Sequence, residues 1–265
     1  MLKAPPDSSI VEVALAQRRI ARLLELLGSH RTVTTAHPNP QELSNWDLVG
    51  PAMLFSAGSV LASLSHLANS PIPGRQQDAL ILTRRLYEHV VEFAWIAINP
   101  VVNAPRWVAE DLHHRVKVDD DAKLLGHPGL DPSKRHAYEV ESKKYKRLPK
   151  VNQLAEQADQ HWSPQIEGHG TFPPSSGSKQ WSLRALYLPA YRGGSAFVHP
   201  TAMSLRDFVG PGGATNTFTI GLLPEVQDSK VGYVLAPILF SLMLLLAEKV
   251  LGWPNADDVR VAVLE

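Results

Sequence analysis

The chain has no cysteine among its 265 residues. Disulfides, thiolate zinc sites, iron–sulfur clusters and a cysteine nucleophile are therefore excluded. Net charge is lacking too. The 26 Lys and Arg balance 26 Asp and Glu, so whole-molecule charge offers no argument for nucleic acid and leaves only a local patch to consider. There is no glycine loop of the Walker or dinucleotide type, because Gly210-Pro211-Gly212-Gly213 lacks the following lysine and helix and reads as a turn. Nucleophile elbows, internal repeats and heptad arrays are missing as well. Met1 to Ser9 contains Pro5-Pro6 and no apolar core of a signal peptide. Residues 1–9 are expected to be a disordered lead, and the expected location is the cytoplasm.

What remains is the composition of an ordinary soluble protein, 44% hydrophobic and 20% charged. The length suits one large domain or two small ones. Ile10–Leu27 has helical periodicity, with Ser8 or Ser9 to cap it and Gly28 to end it. Asp47 can cap a second helix to about Asn69, rich in small residues that let a neighbouring backbone approach. A third helix is predicted over Arg75–Ile98. Its core stripe is Ala79, Leu82, Leu86, Val90, Phe93 and Ala97, and Asn99-Pro100 stops it. Pro105 is expected to open a fourth helix. Residues 131–162 are highly charged and read as one or two exposed helices broken at Pro149. Ser163–Lys179 reads as a long loop, and Ala214–Gly221 as a short extended piece. Val231–Ala247 is uncharged and strongly apolar, with Pro237 inside. It reads as a buried central helix rather than a membrane span. The expected fold is all-α, an irregular helical bundle with a buried C-terminal helix. Residues 10–265 form one helical domain in this reading, with a charged insert at about 131–180.

Four groups of residues carry chemistry. In Tyr191-Arg192-Gly193-Gly194-Ser195-Ala196-Phe197-Val198-His199-Pro200, helical spacing would put Arg192, Ser195 and His199 on one face. Arg192 then suits phosphate binding, His199 proton transfer, and the Tyr191 and Ser195 hydroxyls positioning. The structural alternative has Arg192 paired with a buried carboxylate and His199 bonded to a neighbouring helix. In the third helix, Glu88 can pair with Arg85 or Arg84, Glu92 extends the face, and His89 falls near the core stripe. Glu110-x-x-His113 has the spacing of helical di-iron ligands but lacks the second such pair those bundles use, so no metal and no cofactor is expected. The basic run Lys134–Lys150, with Tyr138 and Tyr145, could track a nucleic-acid backbone, but its interspersed acids favour a solvated face.

Arg85-Leu86-Tyr87-Glu88 followed by Tyr191-Arg192-x-x-Ser195-x-x-x-His199-Pro200 resembles a bacterial helical family of unassigned function, over roughly Met53–Leu251. The Arg192–His199 spacing is also similar to the Arg-x(4–6)-His signature of the HEPN superfamily, and Arg84–His89 has a similar spacing. The HEPN resemblance implies a metal-independent endoribonuclease of a toxin or phage-defence system, acting on RNA as a homodimer. Of the site residues, the resemblance carries over only Arg192 and His199, as the catalytic pair; on the reading of the residues themselves, Arg85 and Glu88 would orient that pair, and Tyr191 and Ser195 would bind substrate. The alternatives are a non-catalytic helical interaction module and a carboxylate-bridged metal oxidase.

Overall fold

The computed structural model describes residues 8–29, 45–69, 75–166, 182–192, 194–195, 209–211, 218–220, 231–252 and 255–264. The helices are α1 (Ser8–Ser29), α2 (Asn45–Ala68), α3 (Arg75–Ile98), α4 (Pro100–Leu124), α5 (Pro132–Lys143), α6 (Val151–Ile166), α7 (Leu183–Leu186), α8 (Val231–Leu251) and α9 (Ala256–Leu264). α7 runs directly into a π-helical turn, Tyr187–Arg192. Two three-residue strands, Val209–Pro211 and Phe218–Ile220, pair antiparallel, and the second lies within the expected extended piece. The protein is an all-α irregular bundle, as its apolar periodicities predict.

α3 and α8 form the centre. α3 packs on α2, α4, α6, α8 and the π turn, while α8 packs on α1, α2, α3 and α9. The sequence separates their roles. α3 carries its apolar stripe (Leu86, Val90, Phe93 and Ala97, all buried) beside a charged edge. α8 is apolar almost all round, and Leu239, Phe240, Met243 and Leu244 are inaccessible to water. α2 and α8 are both long and apolar enough to cross a membrane by length and composition. Here each is packed within the bundle, and the α8 window is the more buried of the two at 61%. Gly252 closes α8 with a left-handed φ of 69° and returns its N–H to the Glu248 carbonyl at 2.9 Å.

Three features differ from the sequence expectation: one boundary, one burial and one helix. α4 starts at Pro100, not Pro105: of two prolines suited to a first turn, Pro100 takes it, and the Asn103 side chain ties the new helix to the Trp95 carbonyl at 2.9 Å. α6 is not an exposed helix. Leu154, Ala155, Ala158 and Trp162 make a buried stripe against α3 beneath the charged residues. α9, which the sequence reading leaves unassigned, buries Val259 and Ala262. α5 keeps the expected exposed character and lies along α4. The buried Asp119 of α4 holds that hairpin by accepting from Lys123, Arg135 and the Leu130 N–H, and these donors keep its carboxyl far below the usual carboxylate range.

Candidate functional site

The charged edge of α3 meets the π turn, and the turn is fixed at three points. At its entry, Asp159 of α6 accepts from the Leu183 N–H (2.7 Å), the Arg184 N–H (2.9 Å) and the Ser182 hydroxyl (2.7 Å), capping α7 from outside. Also ahead of the turn, the Tyr87 hydroxyl of α3 donates to the carbonyl of Leu183, the first residue of α7, at 2.7 Å. Burial pushes that phenol far above its ordinary value, so it stays a neutral donor. At its exit, Gly194 abuts α3. A Cβ there would lie 2.5 Å from the Leu80 carbonyl oxygen and 2.7 Å from the Arg84 Cβ. Pro189 sits inside the turn, where its missing N–H and its ring disfavour ordinary α-helical bonding.

The turn places Tyr187 and Tyr191 in a stack, 5.0 Å between centroids at 16°, with Tyr87 packed across both at 6.3 and 6.2 Å. The Arg84 guanidinium lies over Tyr191, 4.6 Å from its centroid, and donates to the Tyr191 hydroxyl at 3.3 Å. Its Nε also faces Glu88 at 3.3 Å, and Glu88 takes Arg85 at 3.2 Å on its other oxygen. Glu88 thus holds both arginines that the α3 spacing offers it. The half-buried Arg84 binds the turn, and the exposed Arg85 reaches solvent.

Arg192 ends the π turn with its side chain exposed, and it forms no ion pair among the described residues. Ser195 donates its hydroxyl proton to the Tyr191 carbonyl at 2.7 Å, which stiffens the segment. His199 lies outside the described residues. Glu88 meets Arg85 directly, and Tyr191 joins them through Arg84, an arginine that the sequence reading offered as a second partner for Glu88 and, with His89, as a second Arg–His spacing. Asp159, the cap that aims the whole segment, was missed. It lies 23 residues before Ser182 with no local pattern to connect them.

The adjoining face of α3 holds a buried polar group, His89, and a half-buried one, Glu92. His89 Nδ1 is 2.8 Å from the Arg85 carbonyl and Nε2 is 2.8 Å from the Ser56 hydroxyl of α2. Desolvation lowers the pKa of this packed histidine. Glu92 accepts from the Trp107 indole of α4 at 2.9 Å, and desolvation raises its pKa. The folded chain therefore holds the Glu92 proton more tightly than the unfolded chain does. Stability falls as pH rises from the unfolded value, about 4.3, through the raised folded one. Glu92→Gln keeps an acceptor for Trp107 and removes the buried charge. We expect it to melt above the parent chain at pH 8, with a gap that narrows towards pH 4. A gap that does not change with pH would count against a buried charge there.

Glu110 points to the α5–α6 connection rather than to His113. It accepts from Arg147 (2.6 Å) and the Leu148 N–H (3.2 Å), while Arg106 holds the Lys146 and Arg147 carbonyls. No group of three or more His, Asp or Glu side chains is placed to hold a metal among the described residues.

The chain matches the model of a family of unknown function, DUF5677, over residues 57–216. That span includes α3, the capping Asp159 and the whole Tyr191–His199 segment. No curated protein and no solved structure matches the chain. With more than half of its length inside the match, the chain belongs to the DUF5677 family, whose function is unknown.

Proposed function

We propose that the protein is a metal-independent endoribonuclease of the HEPN-like kind, acting as a cytoplasmic homodimer in a toxin or phage-defence role. The observation that supports this reading most is Arg192. It follows Tyr191, a residue clamped to α3 by Arg84, yet its own side chain stands in solvent. An exposed guanidinium on a fixed backbone suits the two oxygens of a phosphodiester. In this reading Arg192 binds the scissile phosphate. His199 takes the proton from the ribose 2′-hydroxyl as that oxygen attacks phosphorus. His199 then gives that proton to the departing 5′-oxygen, yielding a cyclic phosphate and a free 5′-hydroxyl. Arg85 and Glu88 act at one remove, through Arg84 and Tyr191, as positioning residues.

The test is cleavage of end-labelled single-stranded RNA in the presence of a chelator. His199→Ala should slow cleavage at least ~100-fold, the usual scale for losing a general acid–base, with an unchanged melting temperature. Arg192→Ala should do the same. Equal cleavage by the His199→Ala chain would sink the assignment. One observation favours a second reading, a non-catalytic interaction module: Arg84, Arg85, Glu88 and Tyr191 pair with one another without a ligand, although the Arg84 Nε–H makes no hydrogen bond. That reading expects no RNA cleavage from the parent chain.

A further inference from the structure

Ser56 differs from the other helical hydroxyls around it. Ser63, Thr83 and Ser241 each donate to the carbonyl one turn back, at 3.0, 2.7 and 2.6 Å. Ser56 instead meets His89 Nε2 at 2.8 Å. The tautomer follows from the other ring nitrogen. The Arg85 carbonyl can only accept, so Nδ1, 2.8 Å away, carries the hydrogen. In the neutral ring Nε2 is then a lone pair, and the Ser56 hydroxyl donates to it. His89 is only 6% exposed, while Ser56 is exposed. The result is a water-accessible hydroxyl, a dry base within hydrogen-bond reach of its proton, and a third group that orients the base. These are the three parts of an activated serine.

The pair lies at one end of a seam. α2 and α3 run antiparallel, with Ser56 opposite His89. Ser63 is seven residues after Ser56 and Leu82 seven residues before His89, so each falls on the same helix face two turns on, about 10 Å away. At that point a groove of ≈ 600 Å³ opens between the two helices. Leu67, Ile81 and Leu82 supply its apolar lining, and Ser63, His66 and Asp78 its polar atoms. Along α2, the exposed position between Ser56 and the groove is Ser59, whose small side chain leaves that flank of the approach open.

We infer that Ser56 and His89 are a nucleophile and its base, and that this second site hydrolyses esters whose apolar acyl chain lies in the α2–α3 groove. The Ser56 Oγ adds to the ester carbonyl as its proton passes to His89 Nε2. The alcohol leaves with that proton, and the acyl group remains on Ser56. Water, deprotonated by the same nitrogen, then releases the carboxylic acid and restores the serine. The proposed step uses neither Arg192 nor His199, so it is tested apart from RNA cleavage.

The experiment uses the full chain and an alkyl fluorophosphonate. Attack of Ser56 on phosphorus expels fluoride and leaves a stable adduct that intact mass and peptide mapping locate. One adduct per chain is expected, on Ser56, with none in Ser56→Ala, a variant expected to stay folded but to melt below the parent because His89 Nε2 loses its partner. His89→Gln should label at least ~100-fold more slowly. His199→Ala should label at the parent rate. With p-nitrophenyl esters, octanoate should turn over faster than acetate, and Ser63→Trp, which fills the groove, should slow octanoate alone. The inference is overturned if Ser56 is not labelled, if His89→Gln labels at the parent rate, or if acetate and octanoate turn over equally.

Discussion

Trp162→Ala is expected to cost about 3–5 kcal/mol in urea denaturation, the range for deleting a buried aromatic. Trp162 is 6% exposed, packs α6 on α3, and donates its indole N–H to the Ala94 carbonyl at 2.9 Å. Its loss leaves both a cavity and a main-chain oxygen short of a partner. The damage should spread beyond α6, because Asp159, one turn earlier on the same helix, caps α7 and so aims the π turn. Amide exchange in Tyr187–Arg192 should therefore quicken along with that in α6. Trp162→Phe, which keeps the ring bulk and loses the indole bond, should cost far less. A loss under about 1 kcal/mol for Trp162→Ala would mean that α6 is an appendage and that the charged stretch around it lies outside the core.

Gly194→Val should lower stability by about 3 kcal/mol, the upper end for forcing atoms into a closed contact. Even the Cβ of an alanine would stand 2.5 Å from the Leu80 carbonyl oxygen, and that oxygen belongs to helical backbone, which does not yield. The segment must then lift from α3. Tyr191 would leave Arg84, and the placement of Arg192 would go with it. RNA cleavage, if the proposed function holds, should fall together with the melting temperature, whereas Arg192→Ala should lower cleavage alone. Gly28→Ala is the matching control. Nothing lies within 4 Å of a Cβ at that helical position, so the change should be neutral or mildly stabilising. A Gly194→Val chain that melts with the parent would show that the segment does not dock as described.

The parts of the site that obey an ordinary helical period were legible. Arg84, Arg85 and Glu88 pair at i, i+3 and i+4 as their spacing requires, and His89 is the packed histidine its neighbours imply. The Tyr191 segment was harder because Pro189 and the docking of Tyr187 and Tyr191 widen the turn. A face drawn with the α-helical period then no longer says which side chains meet. Asp159, Gly194 and Ser56 had no local signal. Each matters through a contact with a helix distant in sequence, and only the packed chain reveals it. α6 was misjudged for a different reason. Its charged composition drew attention from Leu154, Ala155, Ala158 and Trp162, whose spacing already marks a buried face.

The central position of α8 has a consequence for how the protein is made. Its strongest neighbours, α1, α2 and α3, leave the ribosome well over a hundred residues before it does. Until Leu239, Phe240 and Met243 arrive, the trough they will fill stays open to water. For several seconds of synthesis, at roughly 5–20 residues per second, the nascent chain displays apolar surface that only its own later residues can cover, and it is a natural client for a holding chaperone during that interval.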